Sequence, residues 1–174
     1  AGDTFASPRP PLKVNLDKLT YHARRELRRG NIEEARSMYE KATEMEPGDG
    51  RAWLGLSRCY SRERSFDKAR KSLEKGLQMC PENEYLLQAL GVVEERVGSL
   101  SEAERLYKRA VRSRPSHAAS WISLAQLRTR KLGFGASTGR ACFVNAEYEL
   151  GRAGKNSSHL YAAWGGMEYK QGGD

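Results

Sequence analysis

Long apolar stretches are missing from the 174 residues. No run approaches the ~18 that a membrane-spanning helix needs, so an integral membrane protein is not expected. Cysteine is scarce. Cys59, Cys80 and Cys142 are odd in number and widely spaced, which fits neither a disulfide framework nor a CxxC metal knuckle. Free thiols in a reducing compartment, acting as small apolar side chains, are expected instead. Histidine is equally scarce: His22, His117 and His159 have no cysteine or acid at ligand spacing. No Ser-His-Asp order or carboxylate pair stands out either. The sequence therefore predicts no catalytic residue, no metal and no cofactor. His22 falls on a helix-packing position and is expected in the core, while His117 and His159 fall in turns and are expected to be solvated. A signal-peptide pattern is also missing, and a chain starting at Ala1 is expected to be a processed form or a piece of something longer.

What is present is charge. Apolar residues make up 39% and charged residues 30%, polar for a compact globule but not poor enough in apolar side chains for a disordered chain. Lys and Arg number 30 against 22 Asp and Glu, a net charge of +8. That balance favours an anionic partner, nucleic acid first.

The chain also repeats itself. Pro47, Pro81 and Pro115 lie 34 residues apart, and each follows the same triplet of positions. The triplets are Ala35, Tyr39 and Ala42; Ala69, Leu73 and Gly76; and Ala103, Tyr107 and Ala110. Spacings of four and three set each triplet on one helix face, where small residues admit a neighbouring helix and the large one fills the gap. A second helix precedes each, with core positions Leu19, His22 and Ala23; Trp53, Leu56 and Ser57; Leu87, Leu90 and Gly91; and Trp121, Leu124 and Ala125. Gly30 and Gly98 fall between the paired helices, where a left-handed C-cap suits glycine. The unit is a helix, a turn and a helix, stopped by proline.

This pattern resembles the tetratricopeptide repeat superfamily, including its half-a-TPR (HAT) branch. Glu26, Glu94 and Glu168 match the acid that HAT repeats favour late in the first helix, and Ala35-Arg36-Ser37-Met38-Tyr39-Glu40-Lys41-Ala42 matches their second helix. Tyr60 replaces the acid in the second repeat, and Glu104 stands where Arg is favoured in the third. The resemblance implies an all-α, right-handed solenoid of antiparallel helix pairs. Repeats are expected at 16–49, 50–83, 84–117 and 118–157, with an insertion near 131–144 and a packing triplet of Ala146, Leu150 and Ala153. A partial repeat follows at 158–174, where Trp164 and Met167 promise a poor end cap and self-association. Residues 1–15, with Pro8, Pro10 and Pro11, read as a linker or arm.

Two features suggest chemistry. Gly133-Phe134-Gly135-Ala136-Ser137-Thr138-Gly139-Arg140 is a glycine-rich run, but no strand precedes it and no Gly-Lys-[Ser/Thr] ends it, so a flexible insertion is expected rather than a phosphate loop. The stronger feature is a ladder. Position 13 of the first helix is Arg28, Arg62, Arg96 and Arg130, continued after the insertion by Lys170. First helices line the concave face of such solenoids, so these cations form a row that suits a polyanion. Arg24 and Arg58 widen it, and Tyr85 and Tyr169 stand where bases could stack. The competing reading is that position 13 complements the helix dipole, and Glu26–Arg29 and Glu94–Arg96 pairings point the same way. Lys41, Lys75 and Arg109 form a second row, read as a solvated convex face.

HAT arrays belong to RNA maturation machinery, and the wording GDGRAWLGLSR, AERLYKRA and AAWGGMEYKQGG is similar to plastid messenger-RNA maturation factors of plants and algae. The resemblance implies a scaffold that holds single-stranded RNA in its groove, with other proteins of an RNA-processing complex as partners and no enzymatic activity. An intracellular site is expected, the plastid stroma favoured and the nucleus the alternative. The rival is a protein-interaction scaffold. The carboxylate clamp of the peptide-binding repeats would need Lys, Asn and Arg where this chain has Thr20, Arg24, Gly55, Tyr85 and Ala89, or one repeat later Leu54, Arg58, Ala89, Ala119 and Ser123.

Overall fold

The computed structural model describes residues 15–133 and 135–171, with the side chains of residues 136, 170 and 171 left aside. Nine helices run through the described residues, with no strand among them: α1 (Leu16–Arg29), α2 (Ile32–Met45), α3 (Gly50–Arg62), α4 (Phe66–Met79), α5 (Glu84–Val97), α6 (Leu100–Ser113), α7 (Ala118–Arg130), α8 (Gly135–Arg152) and α9 (Ser158–Gln171). Each helix packs on its neighbours in the chain. The odd-numbered helices also touch one another in series, α1 on α3, α3 on α5, α5 on α7 and α7 on α9, whereas the even-numbered helices do not meet. Closer spacing on one side curves a stack toward that side. The odd helices are therefore the inner layer.

Repetition extends to the helix starts. Asn15, Asp49 and Asn83 are N-caps 34 residues apart, each accepting a backbone N–H with its side-chain oxygen. Such caps contribute about 1 kcal/mol each and fix where every inner helix begins. Trp53 and Trp121 donate their indole N–H groups to the carbonyls of Pro47 and Pro115, both at 2.8 Å, tying the turn to the helix that follows it. Gly30 and Gly98 end α1 and α5 with φ of 95° and 91°. At the same place after α3 stands Arg64, with φ of 58°.

The triplets lie at the core, where Ala35, Ala42, Ala69, Leu73, Ala103, Tyr107 and Ala110 are fully buried. Cation–carboxylate pairs clip each outer helix to the inner helix of the next repeat: Arg36 to Glu63 at 2.7 Å, Arg70 to Glu94 at 2.6 Å, Glu104 to Arg128 at 2.9 Å and Arg140 to Glu168 at 2.6 Å. Glu104, which departs from the HAT wording, meets a partner of reversed sign at Arg128. Tyr60, the other departure, donates to Glu40 at 3.1 Å while Glu63 takes the Arg36 charge.

The fourth repeat departs from the expected boundaries. α8 begins at Gly135, so most of 131–144 is helix rather than a loop insertion. Its packing triplet is Gly139, Phe143 and Ala146, two turns earlier than expected; Leu150 is buried beyond them and Ala153 sits exposed in the turn after the helix. The glycine-rich wording conceals a contact. Gly139 lies so close to Thr129 and Met167 that a Cβ there would collide with both. The last helix is also better seated than expected: Leu160 and Met167 are buried, and Trp164 stacks on Phe143 with ring centroids 5.6 Å apart.

Candidate nucleic-acid interface

The ladder residues do not behave alike. Arg28, Arg62, Arg96 and Arg130 end α1, α3, α5 and α7 at equal positions and all are exposed, while the side chain of Lys170 falls outside the described residues. Arg62 is committed: its guanidinium Nη1 donates to the carbonyl of Leu27 at the C-terminal end of α1. That is the helix-end role, exercised on the neighbouring inner helix. Among the described residues Arg24, Arg28, Arg58, Arg96 and Arg130 make no hydrogen bond or ion pair. Five guanidiniums thus stand unpaired along one layer.

Three hollows join four of them, all but Arg130. Arg58, Arg62 and Arg96 line one of 300 Å³, floored by Leu27, Phe66, Val92 and Val93. Tyr21, Arg25, Arg28 and Arg29 line a second along the later turns of α1. The largest, 570 Å³, lies between α1, α3 and α5 and gathers Arg24 and Arg58 with Tyr21, Tyr39 and Tyr85. Tyr39 reaches it because Gly55 carries no Cβ, which would overlap the phenol ring. Arg51 also faces this cavity but is held by Asp49 at 2.8 Å and Asp17 at 2.9 Å. Those bonds raise its pKa further above the usual arginine value.

Tyr85 is half exposed and braced from behind, its ring edge-on to His117 at 4.7 Å. His117 is packed rather than solvated, against the sequence expectation. Its Nδ1 lies 2.7 Å from the Ser120 hydroxyl, and burial lowers its pKa. His22 reverses the other way: it is exposed and sits edge-on to Tyr21 at 5.6 Å, so it is no core residue. His22 shares its repeat position with the buried Leu56, Leu90 and Leu124, but α1 has an inner-layer neighbour on one side only among the described residues, whereas His117, at the start of α7, packs against Tyr85. Tyr169 is 85% exposed on α9, away from the three hollows. Sequence reading missed Tyr21 and the cavity role of Tyr39, which reads as a pure packing residue because its position is filled by Leu73 and Tyr107 elsewhere. Of the second row, Arg109 pairs with Glu82 at 2.7 Å, while Lys41 and Lys75 are exposed on outer helices. In the rival glycine-rich feature, Arg140 is bound by Glu168 through two 2.6 Å contacts.

Family comparison matches residues 22–84 and again residues 86–127 to the tetratricopeptide repeat. The chain belongs to the tetratricopeptide repeat family. That is a scaffold family rather than an enzyme family. A tetratricopeptide protein of Thermus thermophilus superposes with a TM-score of 0.74 at 19% identity, over 89% of this chain and 82% of that one, which shows the shared fold. Among curated relatives, Protein high chlorophyll fluorescent 107 of Arabidopsis thaliana is 33% identical over 111 residues, 63% of this chain and 17% of the relative. The PsbB mRNA maturation factor Mbb1, a chloroplastic protein of Chlamydomonas reinhardtii, is 29% identical over 130 residues, 68% of this chain and 20% of the relative. This tetratricopeptide chain therefore spans about a fifth of the length of each.

Proposed function

We propose that the array is an RNA-processing scaffold that holds single-stranded RNA along its inner layer. The observation that supports this best is the series of five unpaired arginines on the touching odd helices, interspersed with exposed tyrosines. A single strand presents both a regular negative charge and unstacked bases, and this surface offers partners for both. The similarity to a chloroplastic mRNA maturation factor points the same way and favours the plastid over the nucleus. The mechanism is occupancy: bound RNA is shielded from exonucleases or kept unpaired. A nuclease protection assay tests it. Incubating a single-stranded transcript with the chain and a 3′-to-5′ exonuclease should leave a fragment with a defined end, and digestion to completion at saturating protein would contradict the reading.

A second reading, a protein-interaction scaffold within an RNA-processing assembly, has its own support on α9. In α5, Gly91 lies against the ring of Tyr107 from the following helix. The corresponding Gly165 of α9, with Gly166 beside it, is exposed with nothing near. Self-association through this face predicts a dimer by light scattering that Gly165→Trp abolishes; a wild-type monomer at all concentrations contradicts it.

A further inference from the structure

The tyrosine at the floor of the 570 Å³ cavity is out of keeping with its counterpart in the third repeat. Tyr107, fully buried, donates its hydroxyl to Glu95 at 3.1 Å. Tyr39 is only 5% exposed, yet its hydroxyl has no hydrogen-bond partner among the described residues. A sealed phenol of this kind would leave an unmet donor, at a cost of about 1–3 kcal/mol. No fully buried side-chain oxygen lacks a partner among the described residues, so the Tyr39 hydroxyl is open to the cavity that its side chain lines. Around it stand cations. Burial pushes the Tyr39 phenol upward and the Cys59 thiol adds to that, while Arg58, Arg24 and Arg28 pull the other way, which places all three guanidiniums within electrostatic reach. Arg24 and Arg58 line the same cavity with nothing to bond.

This is a donor set without an acceptor. A neutral hydroxyl and two free guanidiniums line one cavity in which the protein supplies no unpaired anion. The one carboxylate that lines the cavity, Asp17, is already paired with Arg51. Tyr21 and Tyr85, 60% and 49% exposed, line the same space. The volume falls within the ~300–1,000 Å³ of small-ligand sites, ample for one phosphate with an attached aromatic ring.

We propose that this cavity is a built subsite for one nucleotide of the bound strand, its phosphate taken by the Tyr39 hydroxyl with Arg24 and Arg58 and its base laid against Tyr85. The assignment rests on the RNA-scaffold reading and sharpens it: the groove has a fixed point in its first three repeats, where a strand is anchored rather than sliding. A guanidinium pair contributes charge that any groove cation supplies. The hydroxyl contributes direction, because an acceptor must lie on its O–H axis. Tyr85 is suited to the base because His117 braces it, so little ring motion is lost on stacking.

The test uses the whole chain and a fluorescein-labelled single-stranded oligouridylate of 12 nucleotides, followed by anisotropy. Tyr39→Phe removes one oxygen that no protein group uses, so its melting temperature should stay at or above that of wild type. Its RNA affinity should fall three- to tenfold, the range for one lost hydrogen bond. Tyr85→Ala should fall by a similar factor. In a second arm, uridine monophosphate is titrated while the side-chain Nε–H signals of Arg24 and Arg58 are followed by NMR; both should shift in wild type and not in Tyr39→Phe. If RNA binds wild type and Tyr39→Phe equally, the subsite is overturned while the scaffold reading stands. If RNA does not bind but the monophosphate shifts both arginines, the subsite stands and the scaffold reading falls. If neither binds, and an acidic peptide with a free C-terminal carboxylate binds in a Tyr39-dependent way, the nucleotide assignment is overturned.

Discussion

At the scale of single residues, position in the repeat and the role of the side chain separate. Arg62 and Arg96 are equivalent in sequence, yet one is bonded to a helix-end carbonyl and the other is free. Arg62→Ala should therefore cost about 1 kcal/mol in urea denaturation. Arg58→Ala, which breaks no bond, should stay within about 0.5 kcal/mol of wild type. Equal losses from the two would show that the ladder is structural throughout. Arg64 makes a second test. It holds the left-handed conformation that glycine holds after α1 and α5. Arg64→Gly should raise stability by about 0.5–1 kcal/mol, since the Cβ strain of that conformation disappears. Any loss would mean that the Arg64 side chain contributes more than its backbone costs. None of this was legible beforehand. The sequence marks Gly30 and Gly98 as caps because glycine announces itself, whereas Arg64 does so only once the 34-residue count is applied. Tyr39 was hidden in the same way, since a packing phenol and a ligand-facing phenol share one letter.

At the scale of helices, the inter-repeat ion pairs set which helix faces which. The Glu104–Arg128 pair is the Arg70–Glu94 pair with its signs exchanged. Glu104→Arg or Arg128→Glu alone should destabilise by about 1 kcal/mol or more, because like charges then meet, and the double exchange should recover most of the loss. Simple additivity in that cycle would mean the pair carries no coupling. The last helix adds a pH dependence. Glu168 accepts from Arg140 and from the Trp164 indole, which hold its pKa at about 2, below the ordinary value of 4.5. A carboxylate depressed by folding contributes stability above its unfolded pKa and loses that contribution as pH falls toward its folded one. The seating of α9 should weaken between about pH 4.5 and 2, read as rising Trp164 exposure to a quencher, and Glu168→Gln should remove that step. A pH-independent signal would contradict the role given to this pair. Helix existence was legible here because the triplets and prolines are in phase. The start of α8 was not, since its glycines look like loop residues until the close approach of Gly139 to Met167 explains one of them.

At the scale of the whole molecule, the fold was readable because a solenoid is one motif stacked on itself, and three copies of a 34-residue unit over-determine it. The inner layer was readable as well, since one position per repeat becomes one row in space. The division of that row into bonded and unbonded arginines was not, because it depends on which carbonyls and carboxylates each side chain reaches. The five unpaired arginines on α1, α3, α5 and α7 carry the functional claim. The measurement that tests it most directly is the affinity of the whole chain for a single-stranded RNA as a function of salt. With Arg24 and Arg58 on one phosphate, the five arginines make four phosphate contacts and predict a log–log slope of roughly −2.8, and replacing Arg96 and Arg130 with alanine should bring it to roughly −1.4. A slope near zero, or one that the double replacement leaves unchanged, would contradict the account.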